Sequence, residues 1–224
     1  MLILIFILLL FVFSIYVDYG NVLQVNNSDK LISQDSKFTI NVKSFISYKF
    51  INTMFFGISI GSYVTQYKPI KIEDFPVMGI AFSILTIPVA LLYKKIMTLD
   101  YFFIILLIVE SIMLFWMIFF LLDPFSYSVA LLIYISRNVI FLFGDFLGRA
   151  ETLFIRKTDI LSKIDMIKQI GSILGMIISV FFYKWIESSF LIFDNQTKVY
   201  YIHYLLLFLQ ITIIFLVVKS FRRR

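Results

Sequence analysis

The stretch that decides the fold of this chain is residues 99–122, which read LDYFFIILLIVESIMLFWMIFFLL. As an α-helix it would extend about 36 Å, more than the roughly 30 Å of a bilayer's hydrocarbon core. Apolar and polar residues do not alternate along it with a period of two, so a membrane β-strand is excluded. Because lipid offers the backbone no hydrogen-bond partner, the stretch predicts a transmembrane helix.

Six further apolar runs of comparable length share this character. They lie at 1–17, 47–66, 75–93, 126–146, 169–186 and 200–218. The chain is 61% hydrophobic and only 15% charged, which is far from the composition of an ordinary soluble domain. The seven runs predict an all-α, polytopic bundle of about seven transmembrane helices embedded in a lipid bilayer, with no room for a large soluble catalytic domain.

The basic residues predict how the chain threads the membrane. If residues 18–46 are cytoplasmic, 15 of the 20 Lys and Arg residues lie on the cytoplasmic face, 4 lie outside, and Arg137 lies within a run. This asymmetry follows the positive-inside rule. We expect an integral protein of the bacterial inner (plasma) membrane with a cytoplasmic C-terminus. The net charge of +6 then orients the protein and does not indicate nucleic-acid binding.

Four parts follow from this threading. Residues 1–17 form the first transmembrane helix, 18–46 a polar cytoplasmic linker, 47–219 a six-helix transmembrane bundle, and 220–224 a basic cytoplasmic tail. A signal peptide at 1–17 is the alternative, but the run has no preceding Lys or Arg and no small-residue cleavage site near Asp18. A signal peptide would also invert the next six helices and place the 15 basic residues outside.

Residues 147–168 allow two interpretations. Apolar residues recur there at helical spacing between charged ones, which is typical of an amphipathic helix on the cytoplasmic surface. Alternatively, the helices of 126–146 and 169–186 extend past the membrane.

Six of the eight glycines form pairs four residues apart. The pairs are Gly57 with Gly61, Gly144 with Gly148, and Gly171 with Gly175. Each pair leaves a smooth groove on one helix face, where a neighbouring backbone can approach closely. We expect all six to mediate helix packing, and smooth faces would also permit helices to slide.

Two ionisable residues lie deep within the predicted spans. Glu110 and Arg137 stand roughly 17 Å and 14 Å from the cytoplasmic ends of adjacent runs, within reach of each other across one hairpin. Such residues need a partner or a wet cavity. Arg137 would bind an anionic substrate group or Glu110 would exchange a proton; the structural alternative is an ion pair that sets helix register.

Weaker candidates surround these two. Asn138 neighbours Arg137, and Ser59 and Gln66 belong to a polar face that either lines a solute path or hydrogen-bonds between helices. Asp145 and Arg149, four apart, are expected to form a local pair. His203 lies among tyrosines and is expected in an interfacial aromatic belt. The candidates for substrate or proton binding are therefore Glu110, Arg137, Asn138, Ser59 and Gln66.

Catalytic and metal-binding signals are missing from the sequence. The chain has no cysteine and one histidine, which excludes a thiolate metal site and a multi-histidine cage. It also has no Ser-His pairing and no phosphate-cradling loop. We therefore expect no enzymatic activity, no cofactor and no bound metal.

The arrangement of one helix, a cytoplasmic linker and six helices resembles the second half of a major facilitator superfamily transporter, preceded by the last helix of its first half. Residues 90–96, Ala-Leu-Leu-Tyr-Lys-Lys-Ile, stand where the family carries a glycine, an acid and a basic cluster; Lys94 and Lys95 are retained, but the glycine and the acid are absent. The glycine-rich stretch 169–179 is similar to the family's fifth or eleventh helix, and Arg137 to its buried arginine.

This resemblance implies membrane transport of a small solute by alternating access, with the substrate near the midplane between two halves. The chain supplies one half, so it is a fragment, pairs with a second six-helix polypeptide, or forms a homodimer. The alternative function is a non-catalytic membrane subunit or interaction protein that packs against a partner complex.

Overall fold

The computed structural model describes residues 36–155 and 157–223, so the predicted first helix, 1–17, and most of the linker lie outside the described residues. The elements in chain order are β1 (Phe38–Ile40), α1 (Val42–Ser59), α2 (Tyr63–Gln66), α3 (Asp74–Ile96), α4 (Leu99–Leu122), α5 (Tyr127–Phe154), α6 (Thr158–Phe190), α7 (Asn195–Ser220) and β2 (Phe221–Arg223). Apart from two three-residue strands, the described chain is all-α, as predicted.

Five of these helices, α3 to α7, are long and apolar enough to cross a membrane. Their length and composition are those of an integral membrane protein with an all-α fold. The predicted run 47–66 is divided between α1 and α2 and is not among the five, because polar residues such as Lys49, Asn52 and Thr53 lower the hydropathy of α1. That this run also crosses remains a prediction.

Serine side chains explain why the run 47–66 does not form one helix. The Ser59 hydroxyl donates to the carbonyl of Phe56, and the Ser62 hydroxyl donates to the carbonyl of Ser59. Such local bonds offer the backbone an alternative to the regular helix ladder. The turn at residues 60–62 then separates α1 from α2.

Helices α5 and α6 extend well past the apolar runs. Helix α5 continues to Phe154 and α6 begins at Thr158, so only residues 155–157 separate them. Of the two interpretations of 147–168, extension of the flanking helices is therefore correct. A separate amphipathic surface helix is wrong.

The long helices pack in a defined pattern. Helix α1 packs most extensively against α6 and also against α7. Helix α4 packs against α5 and α7, whereas the main neighbour of α3 is α5. Helices α1 and α6 run in the same direction, since Gly171 lies beside Phe50 and Gly175 lies beside Met54 and Ile58. Helices α4 and α7 run in opposite directions, as alternating membrane crossings require.

Three of the six paired glycines mediate close packing. A Cβ added at Gly57 would lie 2.3 Å from the Ser172 carbonyl oxygen, one at Gly171 2.6 Å from the Phe50 carbonyl oxygen, and one at Gly175 2.2 Å from the Met54 carbonyl oxygen. These glycines let the α1 and α6 backbones touch.

The remaining paired glycines do not pack in this way. A Cβ at Gly144 or Gly148 would meet no atom within 4 Å among the described residues, and one at Gly61 would make ordinary contact with Tyr183. Helix packing at these three positions stays a prediction. In the described part of the chain, Gly144 and Gly148 lie on an exposed face of α5 that no other backbone reaches.

The two strands join distant parts of the chain at one end of the bundle. Phe38 pairs with Arg223 and Ile40 with Phe221 in an antiparallel ladder. The Ser36 hydroxyl donates to the Asp100 carboxylate, 2.9 Å away, which ties β1 to the start of α4. Residues 38–40 of the predicted linker thus pair with residues 221–223 of the predicted basic tail.

Helix α7 begins with a carboxylate cap at the opposite end. Asp194 accepts a hydrogen bond from the Thr197 backbone N–H at 2.8 Å and from the Thr197 hydroxyl at 2.9 Å. These bonds hold the pKa of Asp194 below its ordinary value, because they favour the charged carboxylate.

Candidate functional site

Glu110 lies at the junction of α1, α4 and α7 with only 3% of its surface exposed. Its carboxylate accepts hydrogen bonds from the Tyr48 hydroxyl at 2.9 Å, the Asn52 amide at 2.6 Å and the Gln210 amide at 2.8 Å. The Gln210 amide also donates to the Glu110 carbonyl, at 2.9 Å. Three donors from two other helices therefore satisfy this buried acid.

Glu110 and Arg137 do not form the ion pair that the sequence suggested. Glu110 points towards α1 and α7, whereas Arg137 contacts Tyr63 and Tyr67 near α2. Both residues lie deep in adjacent antiparallel helices, but rotation about each helix axis places their side chains on different faces. The rise per residue predicts the depth of a side chain along its helix, but not the direction in which the side chain points.

Arg137 is half-buried and held by aromatic rings. Its guanidinium carbon lies 3.7 Å from the centroid of the Tyr63 ring and 5.5 Å from that of Phe141. One Nη atom donates to the Tyr67 hydroxyl at 3.3 Å. Within the described ranges, no carboxylate lies within 4.0 Å of it. Arg137 is thus a membrane-depth cation without an acidic partner in this part of the chain.

Ser59 joins the Arg137 site through Tyr63. The Ser59 hydroxyl lies 2.9 Å from the Tyr63 hydroxyl, and the Tyr63 ring stacks on Arg137. Tyr63 and Tyr67 were not predicted as site residues, although their spacing of four residues next to the serines is typical of side chains on one helix face. Asn138, by contrast, donates to the Tyr134 carbonyl at 2.8 Å within its own helix.

Gln66 belongs to a different cluster with His203. The Gln66 amide Nε2 contacts His203 Nε2, while His203 Nδ1 donates to the Val199 carbonyl at 2.6 Å. Neither residue is exposed, and the His203 ring stacks near Phe120 with centroids 4.0 Å apart. An interfacial aromatic belt for His203 is therefore wrong, because its ring points into the bundle core.

Asp145 and Arg149 do not form the expected local pair. Arg149 instead lies over the Tyr93 ring, 5.4 Å from its centroid, and Asp145 is exposed. Both side chains stand on the face of α5 that carries Gly144 and Gly148. The open surface of α5 therefore contains two charged residues.

A charge cluster that was not predicted from the sequence joins three helices. Glu151 of α5 forms ion pairs with Lys49 of α1 and with Lys168 of α6, the latter at 2.7 Å, and Lys168 also contacts Asp165 at 3.3 Å. The Glu151 side chain is only 6% exposed. The cluster fastens three helices at the end of the bundle that carries β1 and β2. Lys49 lies about a hundred positions before Glu151, and Lys168 lies 17 positions after it, so no local sequence pattern predicts this cluster.

The fold and these sites define an integral membrane protein of the all-α class. Among the described residues, no three His, Asp or Glu side chains converge where a metal ion could bind. No protein-family model, curated protein or solved structure matches the chain.

The Glu110 network leads to a test of stability. Gln210→Leu is expected to lower the free energy of unfolding by about 2 kcal/mol, because it removes two hydrogen bonds, one of them to a buried acid. Ser111→Ala, next to Glu110 on α4, is the control: the Ser111 hydroxyl donates to the Leu107 carbonyl of its own helix, so a loss of about 0.5 kcal/mol is expected. Unfolding in mild detergent measures both, and equal losses would contradict a structural role for the network.

Proposed function

We propose that this chain is one six-helix half of a secondary transporter of the major facilitator type, which moves a small solute by alternating access. The observation that carries the proposal is a symmetry in the helix packing. Exchanging α1, α3 and α4 with α5, α6 and α7 converts the contact of α1 with α6 into that of α5 with α3. It also converts the contact of α1 with α7 into that of α5 with α4. The contact of α4 with α7 maps onto itself.

Such an exchange describes two repeats of three helices. Because successive helices alternate in direction, the second repeat is inverted relative to the first. Inverted three-plus-three repeats build each half of major facilitator transporters. The packing therefore supports the proposed class, although the contact of α3 with α5 is much slighter than that of α1 with α6.

The polar face of α5 supports a cavity beside this half. Beyond the half-buried Arg137, Phe141 and Asp145 follow one and two turns further along α5, and both side chains are exposed in the described bundle. Charged side chains at membrane depth face water or protein rather than lipid. A second half, either another polypeptide or a second copy of this chain, would close the cavity.

A specific observation also supports the second candidate, a non-catalytic membrane subunit. Glu110 and Glu151 are fully partnered inside the bundle. Internally satisfied charges are expected of a protein whose helices only pack. The two candidates differ in whether water reaches the face of α5.

Cysteine accessibility tests the proposal, because the natural chain contains no cysteine. Phe141→Cys, at a side chain that is 64% exposed next to Arg137, is expected to react with membrane-impermeant maleimide from both sides of the membrane. Ile108→Cys, at a 50% exposed position on α4, is the control and is expected to remain unlabelled in lipid. If neither cysteine reacts from either side, the transporter proposal fails and the subunit candidate is favoured.

A further inference from the structure

We infer that Arg137, together with the rings of Tyr63 and Tyr67, forms a binding site for an anionic solute that carries a carboxylate or phosphate group, with Phe141 at its open edge. The inference rests on the proposed transport function and names the substrate class of the same cavity. The charge of Arg137 is permanent, because the guanidinium does not lose its proton in proteins. A cation of this kind at membrane depth is costly unless a partner or water faces it.

The described chain leaves this charge uncompensated. The carboxylate of Glu110, the acid expected to pair with Arg137, accepts hydrogen bonds from Tyr48, Asn52 and Gln210 instead. The ion pairs in the described ranges involve Lys49, Lys168 and Lys198, but not Arg137. An anion supplied from outside these residues therefore fits the site.

The geometry of the rings selects how an anion would approach. The Tyr63 ring covers one face of the guanidinium at 3.7 Å, and a single N–H donates to the Tyr67 hydroxyl. A guanidinium has five N–H donors in one plane, so the remaining four stay available at its edge. Two neighbouring N–H donors of a guanidinium form a fork. A planar carboxylate or a pair of phosphate oxygens can accept two parallel hydrogen bonds from this fork.

The aromatic contacts also hold the fork in place. Stacking on Tyr63, which is itself hydrogen-bonded to Ser59, orders the long arginine side chain before an anion arrives. Arg137 is half-buried and Phe141 is mostly exposed, so the edge of the site remains open. This combination differs from the enclosed surroundings of Glu110.

Charge-selective labelling of the Phe141→Cys protein tests the inference in membranes. We expect the ratio of reaction rates of anionic sulfonatoethyl and cationic trimethylammonioethyl methanethiosulfonate to fall about tenfold when Arg137→Gln is added. Arg137→Lys keeps the charge and should preserve most of the ratio. Inorganic phosphate and acetate, compared with chloride at equal ionic strength, should slow labelling by uncharged N-ethylmaleimide when arginine occupies position 137. In the Arg137→Lys protein, phosphate and acetate should slow this labelling less, because lysine lacks the fork of two N–H donors.

The outcomes separate the two levels of the proposal. If the cysteine reacts readily with both reagents but Arg137→Gln leaves the ratio unchanged, the cavity stands and the anion site is overturned. That result would indicate that a carboxylate of a partner chain already neutralises Arg137. If no reagent reaches the cysteine, the water-filled cavity is overturned, and the anion site with it. Melting temperatures of the Arg137 variants within a few degrees of the parent protein show that folding does not cause the change.

Discussion

Gly175→Ala is expected to lower the free energy of unfolding by about 3 kcal/mol, although it adds only one methyl group. The new Cβ would lie 2.2 Å from the Met54 carbonyl oxygen and 3.0 Å from the Gly57 Cα. Both neighbours are backbone atoms, so no side chain can rotate away and α1 and α6 must move apart. Thermal or denaturant unfolding in detergent, followed by circular dichroism, measures the loss.

Gly148→Ala is the matched control, since it makes the same change within another glycine pair. Its Cβ would meet nothing within 4 Å, so the substitution is expected to be neutral or to stabilise α5 by up to about 1 kcal/mol through helix propensity. Only Gly175→Ala is thus expected to destabilise the protein. Equal effects would mean that α1 and α6 do not pack through Gly175.

Glu151→Leu is expected to cost about 3 kcal/mol, because it leaves two lysines facing each other at a buried three-helix junction. Lys49, whose side chain is 14% exposed, and Lys168 would both lose their shared partner. Unfolding measurements in detergent again give the loss. The change should also weaken the attachment of α5 to α1 and α6, which limited proteolysis between α5 and α6 can detect.

Asp165→Asn provides the control for the charge cluster. Asp165 contacts Lys168 at 3.3 Å, but the Asp165 side chain is 74% exposed, so solvent screens the pair. A change in the free energy of unfolding below about 0.5 kcal/mol is therefore expected. Replacing Lys49 by methionine together with Glu151→Leu should recover part of the loss, since an apolar pair removes one stranded charge. An undiminished stability of Glu151→Leu alone would show that the cluster does not hold the helices together.

Hydropathy and helical periodicity are local properties, and they predicted the helices well. The runs 75–93, 99–122, 169–186 and 200–218 each lie within one of the five membrane-length helices, and the run 126–146 begins one residue before another. The division of the run 47–66 into two helices was not predicted, because it depends on side-chain hydrogen bonds of Ser59 and Ser62. The extension of α5 and α6 into 147–168 was one of two interpretations, since amphipathic periodicity describes a surface helix and a helix end equally well.

The candidate site was predicted only in part. Glu110 and Arg137 were identified because ionisable residues are rare in apolar runs, but their partners were not. The Tyr63 ring that covers Arg137 comes from α2, the Tyr67 hydroxyl comes from the residue after α2, and the donors to Glu110 come from α1 and α7. The glycine pairs show the same limit, since Gly57 and Gly175 meet another backbone while Gly144 and Gly148 meet none.

The sequence by itself determined that this protein consists of membrane-length helices, because the cost of exposing backbone polar groups to lipid depends only on the local run of residues. It also determined which residues are unusual at membrane depth. The tertiary structure decided which helix faces meet, and therefore that Glu110 is enclosed while Arg137 stays open. The physical reason is that partner choice depends on the rotation and crossing of whole helices, which packing across the bundle sets and no single segment encodes.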